Sequence, residues 1–336
     1  MKLFLLGKSA SITHWLEDAS SGFRAAGHEV ALGFTRRPWL SAAVERAMEG
    51  SFTASIVRRI RQFDPELILV IGGLHIPQGM LEAVAAIPGR PPLIGWVGDL
   101  FDGDARAVAD GYDTVNYTDS GLEALHHTLG FTAPTRFLPH AVNPDRADQI
   151  PNAADRRARM VFVANPTPHR RTVVAALTSP VALYGPTWKA TRGVDHDVHA
   201  ARVAHGRLRG VYLGHTMALN IRNERHVLRG LNQRNFEPCL AGAALITDAQ
   251  ADLERCFEPG VEVLAWRDVD ELNATHERLL RAPSEAAAIG ERGRRRVLAE
   301  HTYERRLETL MERGLPARKK KRAGSPRSED SSPASR

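Results

Sequence analysis

Short apolar runs recur along this chain, each closed by glycine or a polar residue, and polar stretches with helical spacing separate them. The first run, Lys2 to Gly7, leads into SASITHWLEDASSGFRAAGHEV, which reads as a loop, a helix and a Gly-His turn into a second strand. Further runs stand at Leu67 to Gly72, Leu93 to Val97, Thr114 to Tyr117 and Arg136 to Leu138, with stretches such as AAVERAMEGSFTASIVRRIRQF between them. Strands alternating with such helices predict a parallel sheet covered on both faces. A polar stretch led by proline, Pro151 to Arg159, suits a linker. The same order then begins again, with strands at Met160 to Ala164, Val181 to Tyr184, Thr216 to Ile221, Ala243 to Thr247 and Val261 to Ala265. Helices are expected over 269–280, 284–299 and 303–313.

The pattern predicts an α/β protein of two Rossmann-like lobes with mostly parallel sheets, one over 1–150 and one over 151–315. The last helix falls beyond the second sheet and is expected to return toward the first lobe. Open parallel sheets collect ligands at the carboxyl ends of their strands, so function is to be sought in the loops lining a cleft between the lobes.

Composition narrows this picture without changing it. The 336 residues are 43% hydrophobic and 25% charged, as in an ordinary globular protein and unlike a disordered, fibrous or membrane chain. Of the formal net charge of +6, the segment from Pro316 to Arg336 carries +5 through seven basic and two acidic residues. The remaining chain has no strong field for a polyanion, so nucleic acid is not an expected partner of the body. The segment 316–336, rich in Ser, Pro and Lys, is expected to be a disordered tail capable of weak electrostatic contacts. MKLFLLG turns polar too soon for a signal peptide, and no apolar run approaches the roughly 20 residues of a membrane span, which predicts a cytoplasmic protein. Cys239 and Cys256 are read as bystander thiols in a reducing compartment.

The stretch Arg229 to Gly260 holds the most chemistry. Phe236 to Gly242 reads as a helix with Glu237 in its first turn, where a carboxylate can accept two hydrogen bonds from a vicinal diol such as a ribose or can simply cap the helix. Arg234 lies three residues earlier, and Arg170 follows a strand and the loop NPTPHR; a guanidinium suits paired phosphates, or sits idle on a surface. Tyr184, Gly185 and Trp188 bracket a strand-end turn whose rings either cover a nucleobase or pack as a core lid. In the first lobe, GKSASITHW fits neither GxGxxG nor GxxxxGK[ST]. His14, Asp99 and His140 lie beyond strand ends and are the candidates for a general base, or brace their loops. His126, His127, His196 and His199, with Asp195 and Asp197, show no compact ligand spacing such as HExxH. No metal or other cofactor is therefore expected, and Asp195 to His199 is read as a solvated loop.

Several of these blocks carry a resemblance. NQRNFEPCLAGAALITD, then DLERCFEPGVEVLAWRDVDEL, then IGERGRRRVLAEHTYERRLETL resemble the C-terminal half of the CgeB-like (spore maturation protein) members of the GT-B glycosyltransferases. VFVANPTPHRRTVVAAL is similar to the start of that family's donor lobe and VALYGPTW to its next strand and loop, so the likeness runs from Val161 to Leu310. The resemblance implies a GT-B architecture and a nucleoside diphosphate sugar as donor, held by the second lobe at Asn165, Arg170, Tyr184, Gly185, Trp188, Asn220, Arg234, Asn235 and Glu237. It further implies transfer to a hydroxyl of a glycan, protein or small molecule held mostly by the first lobe. Arg229 stands eight positions before Glu237, where many retaining members of the superfamily have a second glutamate, so a retaining outcome does not follow. That departure keeps open a non-catalytic nucleotide-sugar or glycan-binding protein on the same fold. A nucleic-acid-binding module would rest on the tail alone.

Overall fold

The computed structural model describes residues 1–8, 15–36, 42–144, 151, 155–189 and 194–315. His14, residues 152–154 of the expected linker and the tail 316–336 lie outside the described residues. The first sheet is built from β1 (Lys2–Lys8), β2 (Glu29–Arg36), β3 (Leu67–Ile71), β4 (Leu93–Val97), β5 (Thr114–Tyr117) and β6 (Thr135–Phe137). Between them run α1 (Trp15–Ala25), α2 (Ala42–Phe63), α3 (Gln78–Ala85), α4 (Arg106–Ala109) and α5 (Ser120–Thr128). The second sheet comprises β7 (Arg157–Val163), β8 (Val181–Tyr184), β9 (Asp197–His199), β10 (His215–Asn220), β11 (Ala244–Asp248) and β12 (Leu264–Trp266). Its helices are α6 (Pro168–Ala175), α7 (His205–Leu213) and the single turn α8 (Glu237–Leu240), followed by α9 (Val269–Arg281), α10 (Pro283–Glu300) and α11 (Tyr303–Glu312).

The strand orders are β2-β1-β3-β4-β5-β6 and β12-β11-β10-β7-β8-β9, and every pairing is parallel. Burial on both faces explains why the strands read as continuous apolar runs. In β1, Phe4 and Leu6 join the core on one face, whereas Leu3 and Leu5 join the core on the other. Each order reverses once, between β1 and β3 in the first sheet and between β7 and β10 in the second. Diverging crossover connections leave a crevice at such a switch point, and the two crevices face the same cleft.

Two expectations are corrected. Asp197–His199 is not a solvated loop but the edge strand β9, paired with β8 through Ala182, Leu183 and Tyr184. Three partly exposed residues, two of them polar, give too short an alternation to register as a strand. The expected linker also ends early, because Arg157 already opens β7 and Arg156 is buried.

The last helix, α11, crosses to the first lobe. Tyr303, Leu307 and Leu310 complete the core that contains Leu3, Leu5, Trp15, Phe23 and Trp96. The elbow before it is tied down at the same junction: Val142 N donates to His301 O at 2.8 Å, and Arg306 donates to the carbonyls of Pro139 (2.7 Å), His140 (2.9 Å) and Glu300 (2.8 Å). Among the described residues, no helix is long and apolar enough to cross a membrane.

Candidate functional site

A cleft of 410 Å³ lies between the lobes. Lys8, Gly72, His75, Asp99 and His140 line it from the first lobe, at the ends of β1, β3 and β4 and in the segment after β6. Asn165, Arg170, Tyr184, Gly185, Arg234 and Glu237 line it from the second. The fold therefore brings together most of the expected site residues, although they are scattered from 99 to 237 in sequence.

Arg234 lines the cleft with a side-chain nitrogen that has no hydrogen-bond partner among the described residues. It follows Asn232 and Gln233 in a turn where the Asn232 side chain accepts from Arg234 N at 2.9 Å, and it precedes α8 with Glu237 at its start. Its Nε is buried and has no hydrogen-bond partner. Burial pushes its pKa down, against the opposing pull of Tyr212, Glu237, Asp99 and Asp248, and a guanidinium remains charged at neutral pH all the same. Holding an ion in a concavity without a paired counter-ion costs free energy that a bound anion would offset.

Asn220 and Asn235 do not reach the cleft. Both are fully buried and build a polar triangle with Thr247: Asn220 Nδ2 donates to Asn235 Oδ1 and to Thr247 Oγ1 at 3.2 Å each, and Asn235 Nδ2 donates to Thr247 Oγ1 at 3.0 Å. Asn235 Oδ1 also accepts from Asn232 N at 3.1 Å. These amides brace the turn that presents Arg234, so they act on a ligand only through it.

Arg170 is committed differently. Its Nε and Nη2 donate to Ile221 O at 3.0 and 2.8 Å, and its Nη1 donates to Asn165 O at 2.9 Å. Those carbonyls follow β10 and β7, so Arg170 staples the switch-point crevice of the second sheet from within. Burial, then the nearby charge of Arg234, lowers its pKa to about 9. Arg170 therefore reaches the cleft, with three of its N–H groups already serving the backbone.

Trp188 is corrected from a ring at the cleft to one in the core. It is 3% exposed, packs against Phe162 in the core and donates its indole N–H to Ala164 O at 2.7 Å. Tyr184 does line the cleft, with its ring stacked on His199 at 4.1 Å and 8°. Between the two, Gly185 has φ +147°, and a Cβ there would fall 2.2 Å from Ala164 O, so the strand-end turn closes only around glycine.

On the first lobe, the candidate bases are held unlike free bases. His140 is buried against Trp15 with ring centroids 4.6 Å apart, its Nδ1 has no partner, and burial drives its pKa down to about 3. Asp99 lies 3.6 Å from His75 Nε2 and 3.5 Å from His226 Nδ1, and the contact with His75 is the main cause that holds its carboxyl below the usual range. His75 and His226 were missed by sequence reasoning. The signal for His75 was its place in IGGLHIP, directly after an apolar strand; His226, in NERHVLRG, had none beyond being a loop histidine.

A second interlobe contact anchors the loop that carries His226 and Arg234. Asp119, buried at the start of α5, caps that helix through Gly121 N (2.6 Å) and Leu122 N (3.3 Å) and also accepts from Leu228 N (2.8 Å) and Arg229 N (3.1 Å) of the second lobe. Asp252 answers from the other side, accepting from Ser120 N at 2.7 Å. Gly230 is pressed so closely that a Cβ would stand 2.5 Å from Asp119 Cα. Arg229 is exposed on this outer turn and does not line the cleft. Among the described residues, no group of three or more His, Cys, Asp or Glu side chains is placed to hold a metal ion. Both cysteines are free and buried.

Two lobes with parallel sheets around such a cleft are the GT-B fold. A family model described as "Glycosyl transferase-like" matches residues 167–312. In structure, the chain is similar to HepE of Anabaena, solved in complex with UDP and glucose, with 13% identity, a TM-score of 0.63, and 93% of this chain and 99% of that one covered. It is also similar to a sucrose-phosphate synthase from Thermosynechococcus elongatus, with 13% identity, a TM-score of 0.64 and coverage of 93% and 98%. A third similar structure is AviGT4, a glycosyltransferase involved in avilamycin A biosynthesis, with 17% identity, a TM-score of 0.60 and coverage of 93% and 96%. No curated protein sequence matches the chain.

Proposed function

We propose that this protein is a CgeB-like glycosyltransferase that moves a sugar from a nucleoside diphosphate sugar to a hydroxyl-bearing acceptor. The observation that carries the reading is Arg234, a buried-edge guanidinium with no ion pair among the described residues, presented by a braced turn into an interlobe cleft beside Glu237. The diphosphate would lie against Arg234, the ribose or sugar hydroxyls against Glu237, and the base toward Tyr184 and Gly185. As the sugar–phosphate bond breaks, negative charge grows on the leaving oxygen, and a fixed cation there stabilises the transition state more than the ground state. The reading uses Arg234 for that charge and asks for no metal. Arg170 supports it by holding the crevice open in shape, and closure of the two lobes would exclude water from the activated sugar.

Calorimetry with UDP and with uridine tests this. Arg234→Ala is expected to weaken UDP by about 2 kcal/mol or more while leaving uridine nearly unchanged. Glu237→Gln is expected to weaken both ligands, because it removes a charged acceptor for the ribose diol. Equal losses for UDP and uridine in Arg234→Ala would remove the basis for the donor site.

A non-catalytic nucleotide-sugar binder on the same fold is the second reading, favoured by the low pKa of His140 and the engaged carboxylate of Asp99, which leave neither as a ready base. Binding of UDP-glucose without any release of UDP over a panel of acceptors would support it.

A further inference from the structure

The carboxylate of Asp99 belongs to the first lobe, yet it stands between a histidine of its own lobe and one of the other. His75 Nε2 approaches Oδ2 at 3.6 Å, and His226 Nδ1 approaches Oδ1 at 3.5 Å. Separate oxygens serve the two rings, so both contacts hold at once. His226 rides on the loop between β10 and α8, two residues before the point where Asp119 grips Leu228 N. Arg234 presents itself farther along the same loop. The pin at 228–230 joins these two side chains into one piece of structure, with one end at the proposed diphosphate site and the other against the first lobe.

We propose that Asp99 and His226 form a latch across the cleft, which holds the lobes closed over an occupied nucleotide site and makes donor affinity depend on a first-lobe carboxylate. This rests on the donor-site reading given above. The groups that face Asp99 are His75, His226 and His140, and its charge is also felt by Arg234. Asp99 stays ionised, because the contact with His75 holds its carboxyl low. Burial keeps His140 neutral. His226 and Arg234 share one loop pinned by Asp119, so a ligand that fixes Arg234 in the cleft also sets His226 against Asp99. Thus an occupied site and a closed latch favour each other, as linkage requires.

The contact has the strength of a reversible device. Asp99, His75 and His226 keep 54%, 42% and 51% of their side-chain surface exposed, and solvent-screened pairs of this kind shift an equilibrium by a few-fold at most. The role also differs from that of a general base, which was the expectation for Asp99.

The test uses the full chain and UDP as probe, measured by calorimetry at one pH for the wild type, Asp99→Asn, His226→Gln and the double variant. Each single substitution is expected to weaken UDP about threefold, with the double variant no weaker than either single one, since both remove the same contact. Unchanged affinity in the single variants, or losses that add in the double variant, would overturn the latch while leaving the donor site standing. A wild type that binds no UDP would overturn the donor-site reading and the latch with it.

Discussion

His276 enters the core of the second lobe fully buried, with neither ring nitrogen hydrogen-bonded, and burial pushes its pKa down to about 4. The unfolded chain takes up a proton near the ordinary histidine value while the folded one does not. Stability contributed by the neutral ring is therefore present above about pH 6.5 and lost as pH falls through 4, by about 3 kcal/mol in all. Replacing His276 with Leu is expected to raise the melting temperature at pH 7 and to flatten part of the acid limb of stability, as followed by urea titrations between pH 7 and 4. His140 and His301, both lowered to about 3 by burial, act in the same sense, so the informative quantity is the difference between variant and wild type. At this scale the sequence was legible only in part. Glu237 and Arg234 stand out because acidic and basic groups flank one short turn, but Trp188 and Asn220 show the same residue types a ligand would want and are spent on the fold.

Elements were the most legible level, since strands buried on both faces write themselves as unbroken apolar runs and α9, α10 and α11 carry long helical spacing. What the pattern did not contain is how element ends are satisfied. Arg156 is buried where α7 and α8 end, and it donates to the carbonyls of Leu213 (3.0 Å), Tyr212 (3.3 Å), Gly242 (2.8 Å), Ala241 (3.2 Å) and His215. The last carbonyls of a helix have no partner within it, and one guanidinium here serves two such ends. Arg156→Met keeps the aliphatic stem and strands these acceptors in the interior, so it is expected to cost at least about 3 kcal/mol in chemical unfolding. A loss below about 1 kcal/mol would mean that water reaches the site. In sequence, Arg156 was one more polar residue of a linker.

For the whole molecule, α11 makes the two lobes one folding unit by returning to the core under α1. Gly22 permits the approach: a Cβ there would lie 2.7 Å from Tyr303 Cδ2, inside a fully buried contact. Gly22→Ala would gain about 1 kcal/mol of helix propensity on an open helix, but here it must push α1 and α11 apart. A net loss of about 1 to 3 kcal/mol is expected in thermal unfolding, with recovery of part of it when Tyr303 is also changed to Leu. Additive losses from the two substitutions would show that the helices do not meet as described.

The sequence by itself determined that strands and helices alternate, that the strands run parallel, and that the series is repeated, because two-sided burial and helical period are local properties of the chain. It also carried the turn from Asn232 to Glu237, whose chemistry is compressed into six consecutive residues. Only the tertiary structure decided which polar groups are free to meet a ligand. Arg170 and Arg234 are the same residue near the same kind of strand end, yet one donates to Ile221 and Asn165 while the other keeps its Nε without a partner. That difference is settled by carbonyls 5 and 51 residues from Arg170, and a hydrogen bond across such a separation leaves no mark on periodicity or composition. The pairing of Asp99 with His226 is of the same origin, since it exists only where the loops beyond the strands of two sheets come face to face.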